Sequence, residues 1–238
     1  MLSSETGGGA RSSEAKPRFV DRLVGFLHKY RLVLLGLLIA LIAFLVGYFV
    51  WTEWSKRSRE RSTLMAERAQ KLFEQWQDET EEAQRATLET ELDTAIGQIL
   101  SKYPRQYAAQ RAYFLRAAVA YEQQQWEQAA ESYTSLANSF PKSYLAPLSL
   151  FNAGVSYEQM DDLDQATAAY REVAEEYGDS YLVPHALFSL GRLYEEQEQY
   201  ESAFEAYNRL EDEHPQSNWT KAGRNRIIEL KIRGVIAE

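Results

Sequence analysis

A four-residue phrase recurs in this chain every 37 residues, and it constrains the fold more than any other feature. It reads Tyr103-Pro104-Arg105-Gln106, Phe140-Pro141-Lys142-Ser143, Tyr177-Gly178-Asp179-Ser180 and His214-Pro215-Gln216-Ser217. A tyrosine follows each of the first three at once, as Tyr107, Tyr144 and Tyr181. A ring, then a helix breaker, then a small polar residue ends one helix and begins the next. Four such stops at one period describe stacked short helices, not a single irregular core. Each tyrosine is expected to start a new helix. The junction at Gly178, which lacks the proline, is expected to differ from the others.

Between the phrases, residues 143–179 and 180–216 align without a gap. Pairs 37 apart include Pro147/Pro184, Leu150/Leu187, Phe151/Phe188, Gly154/Gly191, Tyr157/Tyr194, Ala166/Ala203 and Tyr170/Tyr207. An earlier unit, about 106–142, keeps Trp126, Ala129, Tyr133 and Leu136. Its Tyr121 stands one residue out of register, which a loop shortened by one residue at 123–125 would absorb. Each unit divides into two helices. Glycine inside a helix costs about 1 kcal/mol relative to alanine, so its return at 154 and 191 implies a packing reason. Small residues there let two helices approach closely. Pro147 and Pro184 suit the first turn of a helix, where the missing N–H is not needed.

Ahead of the repeats, residues 32–50 carry no charge. As a helix they span about 28 Å at ~1.5 Å per residue, close to the ~30 Å hydrocarbon thickness of a bilayer. Tyr48, Trp51 and Trp54 lie at the end of the run, where amphipathic rings favour the headgroup layer. The expected organisation is a disordered basic tail over 1–30, a transmembrane helix over 31–51, a juxtamembrane helix and degenerate half-repeat over 52–104, three units over 105–217 (about 106–142, 143–179 and 180–216), and a capping helix over 218–238. The fold class is all-α. Five basic residues flank the span on its N side and four on its C side, a slight lean toward an N-terminus in the cytoplasm.

Charge is uneven along the chain. Residues 72–238 carry 14 bases against 29 acids. That repels phosphate and speaks against a nucleic-acid partner. There is no cysteine, so no disulfide or thiolate metal site is available. His28, His185 and His214 lie in three separate regions without metal-ligand spacing. The carboxylate pairs, such as Asp161-Asp162 and Glu195-Glu196, suit solvated helical faces, and no phosphate loop is present. No catalytic, cofactor or metal site is expected, and the chain does not read as an enzyme.

The spacing Leu150-x-x-Ala153-Gly154-x-x-Tyr157 followed by Ala166-x-x-x-Tyr170-x-x-Val173 resembles the tetratricopeptide repeat. So does Leu187-x-x-Leu190-Gly191-x-x-Tyr194 with Ala203, Tyr207, Leu210 and Pro215. The 37-residue period and the F-P-x-S-Y linker resemble repeats of bacterial cell-envelope proteins. The resemblance implies an α–α superhelix whose first helices line a concave peptide groove. The implied groove positions are Leu115, Arg116 and Val119, then Phe151, Asn152 and Val155, then Phe188, Ser189 and Arg192. Phe151 and Phe188 have a competing reading, in which they face the next repeat as core.

The succession of basic tail, single span ending in Tyr and Trp, helix and repeats over residues 26–76 and beyond resembles the YfgM-type ancillary subunits of the SecYEG translocon. That resemblance implies a single-pass inner-membrane protein with its N-terminus in the cytoplasm and its repeats in the periplasm. Its expected role is scaffolding or chaperone-like binding beside the translocon and periplasmic chaperones. The other reading is a scaffold for outer-membrane protein or cell-wall assembly. The basic helix over 218–238 is a second candidate docking surface.

Overall fold

Breaks between helices fall where backbone N–H groups find other acceptors, and these breaks divide the chain into α1 (Phe19–Asp78), α2 (Glu82–Lys102), α3 (Tyr107–Glu122), α4 (Trp126–Ser139), α5 (Ala146–Glu158), α6 (Leu163–Glu176), α7 (Val183–Glu196), α8 (Tyr200–Glu213) and α9 (Asn218–Ile232). The computed structural model describes residues 19–236, and among these there is no strand. The chain divides into two units, residues 1–57 and 58–238.

The described part of the first unit is the leading portion of α1. Its apolar run is exposed along nearly its whole length, and nothing stands within 4 Å of a Cβ built on Gly36 or Gly47. Among the described residues, α1 is the one helix long and apolar enough to cross a membrane, with a mean hydropathy of 2.9 over its apolar window. Two sequence expectations need correction here. Residues 19–30, assigned to a disordered tail, are helical; residues 1–18 of that tail lie outside the described residues. Nor do a span over 31–51 and a juxtamembrane helix form separate elements. Trp51-Thr52-Glu53-Trp54 contains no breaker, the Thr52 hydroxyl donates back to the Phe49 carbonyl at 2.8 Å, and Arg57 pairs with Glu53 one turn earlier at 2.9 Å. All three features suit a continuous helix.

The second unit is an α–α solenoid. Residues 58–78 of α1 pack on α2 and α3 through Ala69, Leu72, Phe73 and Trp76 against Leu92, Ile96, Ile99, Ala108 and Leu115. The Glu79 carboxylate ends that helix by accepting the N–H groups of Thr80 and Glu81, both at 2.9 Å. Helix pairs α3–α4, α5–α6 and α7–α8 then follow. The core running through the last two pairs includes Leu150, Phe151, Tyr170, Val173, Leu187, Leu190, Leu193 and Leu210.

All four recurrences of the phrase adopt one turn. The third residue after the ring donates its N–H back to the ring residue's carbonyl: Gln106 to Tyr103 at 3.1 Å, Ser143 to Phe140 at 2.8 Å, Ser180 to Tyr177 at 2.8 Å and Ser217 to His214 at 3.0 Å. Ser217 then caps α9 by accepting from the Trp219 N–H, while Ser143 and Ser180 brace the turn before α5 and α7 by accepting from Leu145 and Leu182. Gln106 replaces the serine and instead ties the junction to α1, donating to Ser58 at 2.8 Å and accepting from Ser62 at 2.6 Å. The Gly178 junction keeps this turn but differs in one respect: Tyr103, Phe140 and His214 donate their N–H back to Ile99, Leu136 and Leu210, whereas no such bond is made by Tyr177. Tyr144 and Tyr181 do not start helices. They sit in the turn, exposed, and only Tyr107 begins its helix.

Within each unit, the turn between first and second helix places one residue in the left-handed region, at Gln124, Asp161 and Glu198 with φ of 61°, 59° and 58°. Each turn closes through one further bond, from Gln125 to Ala120, Asp162 to Tyr157 and Gln199 to Tyr194. Both series recur at 37. The first unit's loop is therefore not shortened, and the structural counterpart of Tyr157 is Ala120 rather than Tyr121.

The glycines explain the spacing of the pairs. A Cβ on Gly154 would lie 2.7 Å from the Tyr170 ring, and one on Gly191 would lie closer still to the Tyr207 ring. Both tyrosines are 1% exposed, so neither ring has room to retreat. Gly191→Ala is expected to destabilise the protein by about 1–3 kcal/mol through overpacking, despite alanine's better helix propensity. Denaturant midpoints of the two proteins measure this.

Candidate functional site

The first helices α3, α5 and α7 share a pattern of aromatic residues. Phe114, Phe151 and Phe188, spaced 37 apart, each pack against the tyrosine of their own second helix. Ring centroids stand 5.6 Å apart for Phe114–Tyr133, 5.0 Å for Phe151–Tyr170 and 5.8 Å for Phe188–Tyr207. Such tilted and edge-on pairs add about 0.5–1.5 kcal/mol beyond their buried area. Burial pushes the Tyr133 hydroxyl's pKa up to about 12, against the opposing pull of a hydrogen bond with Asn152.

These contacts locate the expected groove residues. Phe188, Val155, Asn152 and Arg192 are half-buried and remain accessible. Phe151 is 7% exposed, held between Tyr170 and His185, and Ser189 is likewise buried. Leu115 is 2% exposed and belongs to the core shared with α1 and α2. Leu115, Phe151 and Ser189 therefore do not line an open groove. The first-unit positions were displaced by the assumed loop shortening. At the observed 37-residue register the counterparts of Phe151, Asn152 and Val155 are Phe114, Leu115 and Ala118. Arg116 and Val119 point instead to a recess beside α2 that also holds Leu92, Asp93 and Ile96, with Arg116 3.7 Å from Asp93.

A carboxylate relay supports this face. At the end of α5, Glu158 accepts the Tyr170 hydroxyl at 2.5 Å and pairs with Arg192 of α7. One unit later, Glu195 accepts the Tyr207 hydroxyl at 2.7 Å and two bonds from Arg226 of α9, at 2.9 and 2.5 Å. Each relay joins a second helix, its own first helix and the next first helix. Burial, then the bonded carboxylate, push the Tyr170 and Tyr207 hydroxyls far above the usual phenol range. The relay is hidden in the sequence because Glu195 sits in the pair Glu195-Glu196, which suits a solvated face, and Glu158 stands alone between Tyr157 and Gln159. Their recurrence at 37, each with a tyrosine 12 residues later, was the available signal.

An aromatic run crosses α5, α7 and α9. The His185 ring stands 4.4 Å from Phe151 and stacks on Trp219 at 3.8 Å with a 9° interplanar angle, while Phe188 lies 5.1 Å from Trp219. Burial, then the Arg192 charge, lower the His185 pKa against the opposing field of Glu158. Among the described residues, no group of three or more His, Cys, Asp or Glu side chains could hold a metal ion.

With its folded pKa depressed, His185 binds fewer protons in the native than in the unfolded state between the two pKa values. Stability then rises with pH across that window and is lost as pH falls below the unfolded value of about 6.5. His185→Gln is expected to flatten the decline in melting temperature between pH 7 and pH 5 relative to the wild type. Thermal melts of both proteins across that range measure the difference.

The model of the tetratricopeptide repeat-like domain matches residues 26–145, and that of the tetratricopeptide repeat matches residues 151–218. A search of curated proteins found no match. Such repeats are protein-interaction modules and are typically non-enzymatic. The first of the two models takes in just over half of the 238 residues, from within α1 to the turn before α5. The second takes in the glycine–tyrosine pairs of the last two units. On that extent of match, together with the paired helices and their common turn, the chain belongs to the tetratricopeptide repeat-like domain family.

Proposed function

We propose that the chain is a membrane-anchored scaffold or chaperone-like adaptor that holds protein segments against the first helices of its repeats. The observation that carries this reading is the half-exposed face formed by Asn152, Val155, Phe188 and Arg192, continued by Phe114 and by Trp219. Apolar anchors beside polar groups suit an extended or helical peptide, because burial gives affinity and hydrogen bonds set register. Arg192 is held by Glu158 and is 41% exposed in its side chain, so its guanidinium is pre-positioned yet accessible.

The apolar run of α1 is the proposed anchor, passing once through a bacterial inner membrane with the N-terminus in the cytoplasm. The repeats would then lie in the periplasm beside the Sec translocon and its client chaperones. This placement rests on the basic residues flanking the run and on the resemblance to YfgM-type subunits. The F-P-x-S-Y junction at residues 140–144 favours a second reading, a scaffold for outer-membrane protein or cell-wall assembly.

Protease added to spheroplasts should digest the repeats; their survival would place them in the cytoplasm. Val155→Asp with Phe188→Ala should weaken capture of a translocon subunit or periplasmic chaperone by 10-fold or more in mild detergent, with helicity preserved in circular dichroism. Recovery of cell-wall or outer-membrane assembly proteins in their place would favour the second reading.

A further inference from the structure

We propose that the outer face of α9 is a docking site for an acidic amphipathic helix supplied by a partner protein. The argument begins with the chemistry of the second helices already in the array. α4 carries Glu127 and Glu131 and no base; α6 carries Asp164, Glu172, Glu175 and Glu176 against Arg171 alone; α8 carries Glu201, Glu205, Glu211, Asp212 and Glu213 against Arg209 alone. Each presents an apolar stripe to the helix before it and an acidic surface elsewhere.

α9 occupies the place of a first helix. It packs on α8 through Thr220, Gly223, Ile227 and Leu230, and a Cβ on Gly223 would lie 3.3 Å from Leu210 and 3.4 Å from Tyr207. Its Arg226 does for Glu195 what Arg192 does for Glu158. A first helix in this array is covered by an acidic second helix. Among the described residues, nothing covers the corresponding face of α9. Ile228 and Ile232, one turn apart, are 56% and 80% exposed. Lys221 lies on the same face two turns before Ile228 and makes no ion pair among the described residues, while Arg224 at the edge is half-exposed beside Glu211. α9 carries four bases against Glu229 alone, in a solenoid that is otherwise strongly acidic.

An apolar stripe rimmed by cations is complementary to an apolar stripe rimmed by acids. A second copy of this chain fits less well. Its acidic helices have their apolar stripes buried against their own first helices, so it offers charge without apolar contact. An anionic membrane also fits less well, because Trp219, the ring of α9 suited to the headgroup layer, is turned away onto His185. This site is separate from the Phe188 face and does not depend on the reading given to it.

The test uses the full chain in nanodiscs of neutral phosphatidylcholine and a helix-stapled, fluorescent peptide with the sequence of residues 200–213. Fluorescence anisotropy should show saturable binding that weakens as salt is raised. It should weaken 10-fold or more in Ile228→Asp/Ile232→Asp, by several-fold in Lys221→Glu, and 10-fold or more when the peptide's acids are replaced by glutamine. Thermal melts of these variants should match the wild type, since the altered side chains are exposed. Absence of saturable binding, or binding indifferent to the variants or to the peptide's acids, overturns the proposal. So does concentration-dependent self-association lost in the same double variant, which would assign the face to a second copy. Displacement of the peptide by phosphatidylglycerol vesicles would assign it to a lipid surface.

Discussion

The last two helix pairs of the solenoid depend on a tyrosine ring lying directly on a glycine. Tyr170 covers Gly154 and Tyr207 covers Gly191 at distances that leave no room for a methyl group. This contact sets how close the two helices of a pair stand. It also directs the phenol hydroxyl along the first helix toward its C-terminal turn, where Glu158 or Glu195 receives it. In these two pairs three consequences follow from one close approach: the glycine is required, the ring is buried, and the carboxylate one turn beyond the glycine is drawn out of solvent, whereas the first pair has Ala117 and Tyr121 at the corresponding positions.

A buried carboxylate is costly unless it is both hydrogen-bonded and paired. Glu195, whose side chain is 6% exposed, meets both conditions through Tyr207 and Arg226. Arg226 comes from the next helix along, so satisfying the charge of one pair fastens its neighbour. The same arrangement at Glu158 recruits Arg192. Repeat stacking thus combines apolar burial, which is non-directional, with a charge-assisted bond that fixes orientation. The aromatic run from Phe151 through His185 to Trp219 reinforces the link at the α5–α7–α9 edge. It also explains why part of the face expected to bind ligand is filled by the protein's own side chains.

Legibility differed by the range of the contact. The helix pairs, the helix-starting prolines and the packing role of Gly154 and Gly191 could be read from the 37-residue period, since each reflects local backbone geometry repeated along the chain. The displaced first-unit positions show the limit. Tyr121 stands one residue off the Tyr157 register, which in sequence alone suits a shortened loop. The backbone shows full-length loops with Gln124, Asp161 and Glu198 all left-handed. An aromatic residue had moved by one position within a helix while the frame stayed constant. Phe114, exactly one period before Phe151, was the better guide to register.

By itself the sequence determined an all-helical chain with one apolar helix ahead of stacked helix pairs, and it determined where glycine had to stand. These follow from periodicity and from backbone constraints that act over a few residues. Only the tertiary structure decided which ring of each first helix is core and which is accessible. Phe151 and Phe188 are equivalent in sequence. Phe151 is nevertheless sealed by His185 of the next unit's first helix, at 4.4 Å, while Phe188 stays half-buried with Trp219 of α9 5.1 Å away. What covers a residue in a solenoid is the next repeat, and that neighbour's side chains are not specified by the residue's own unit.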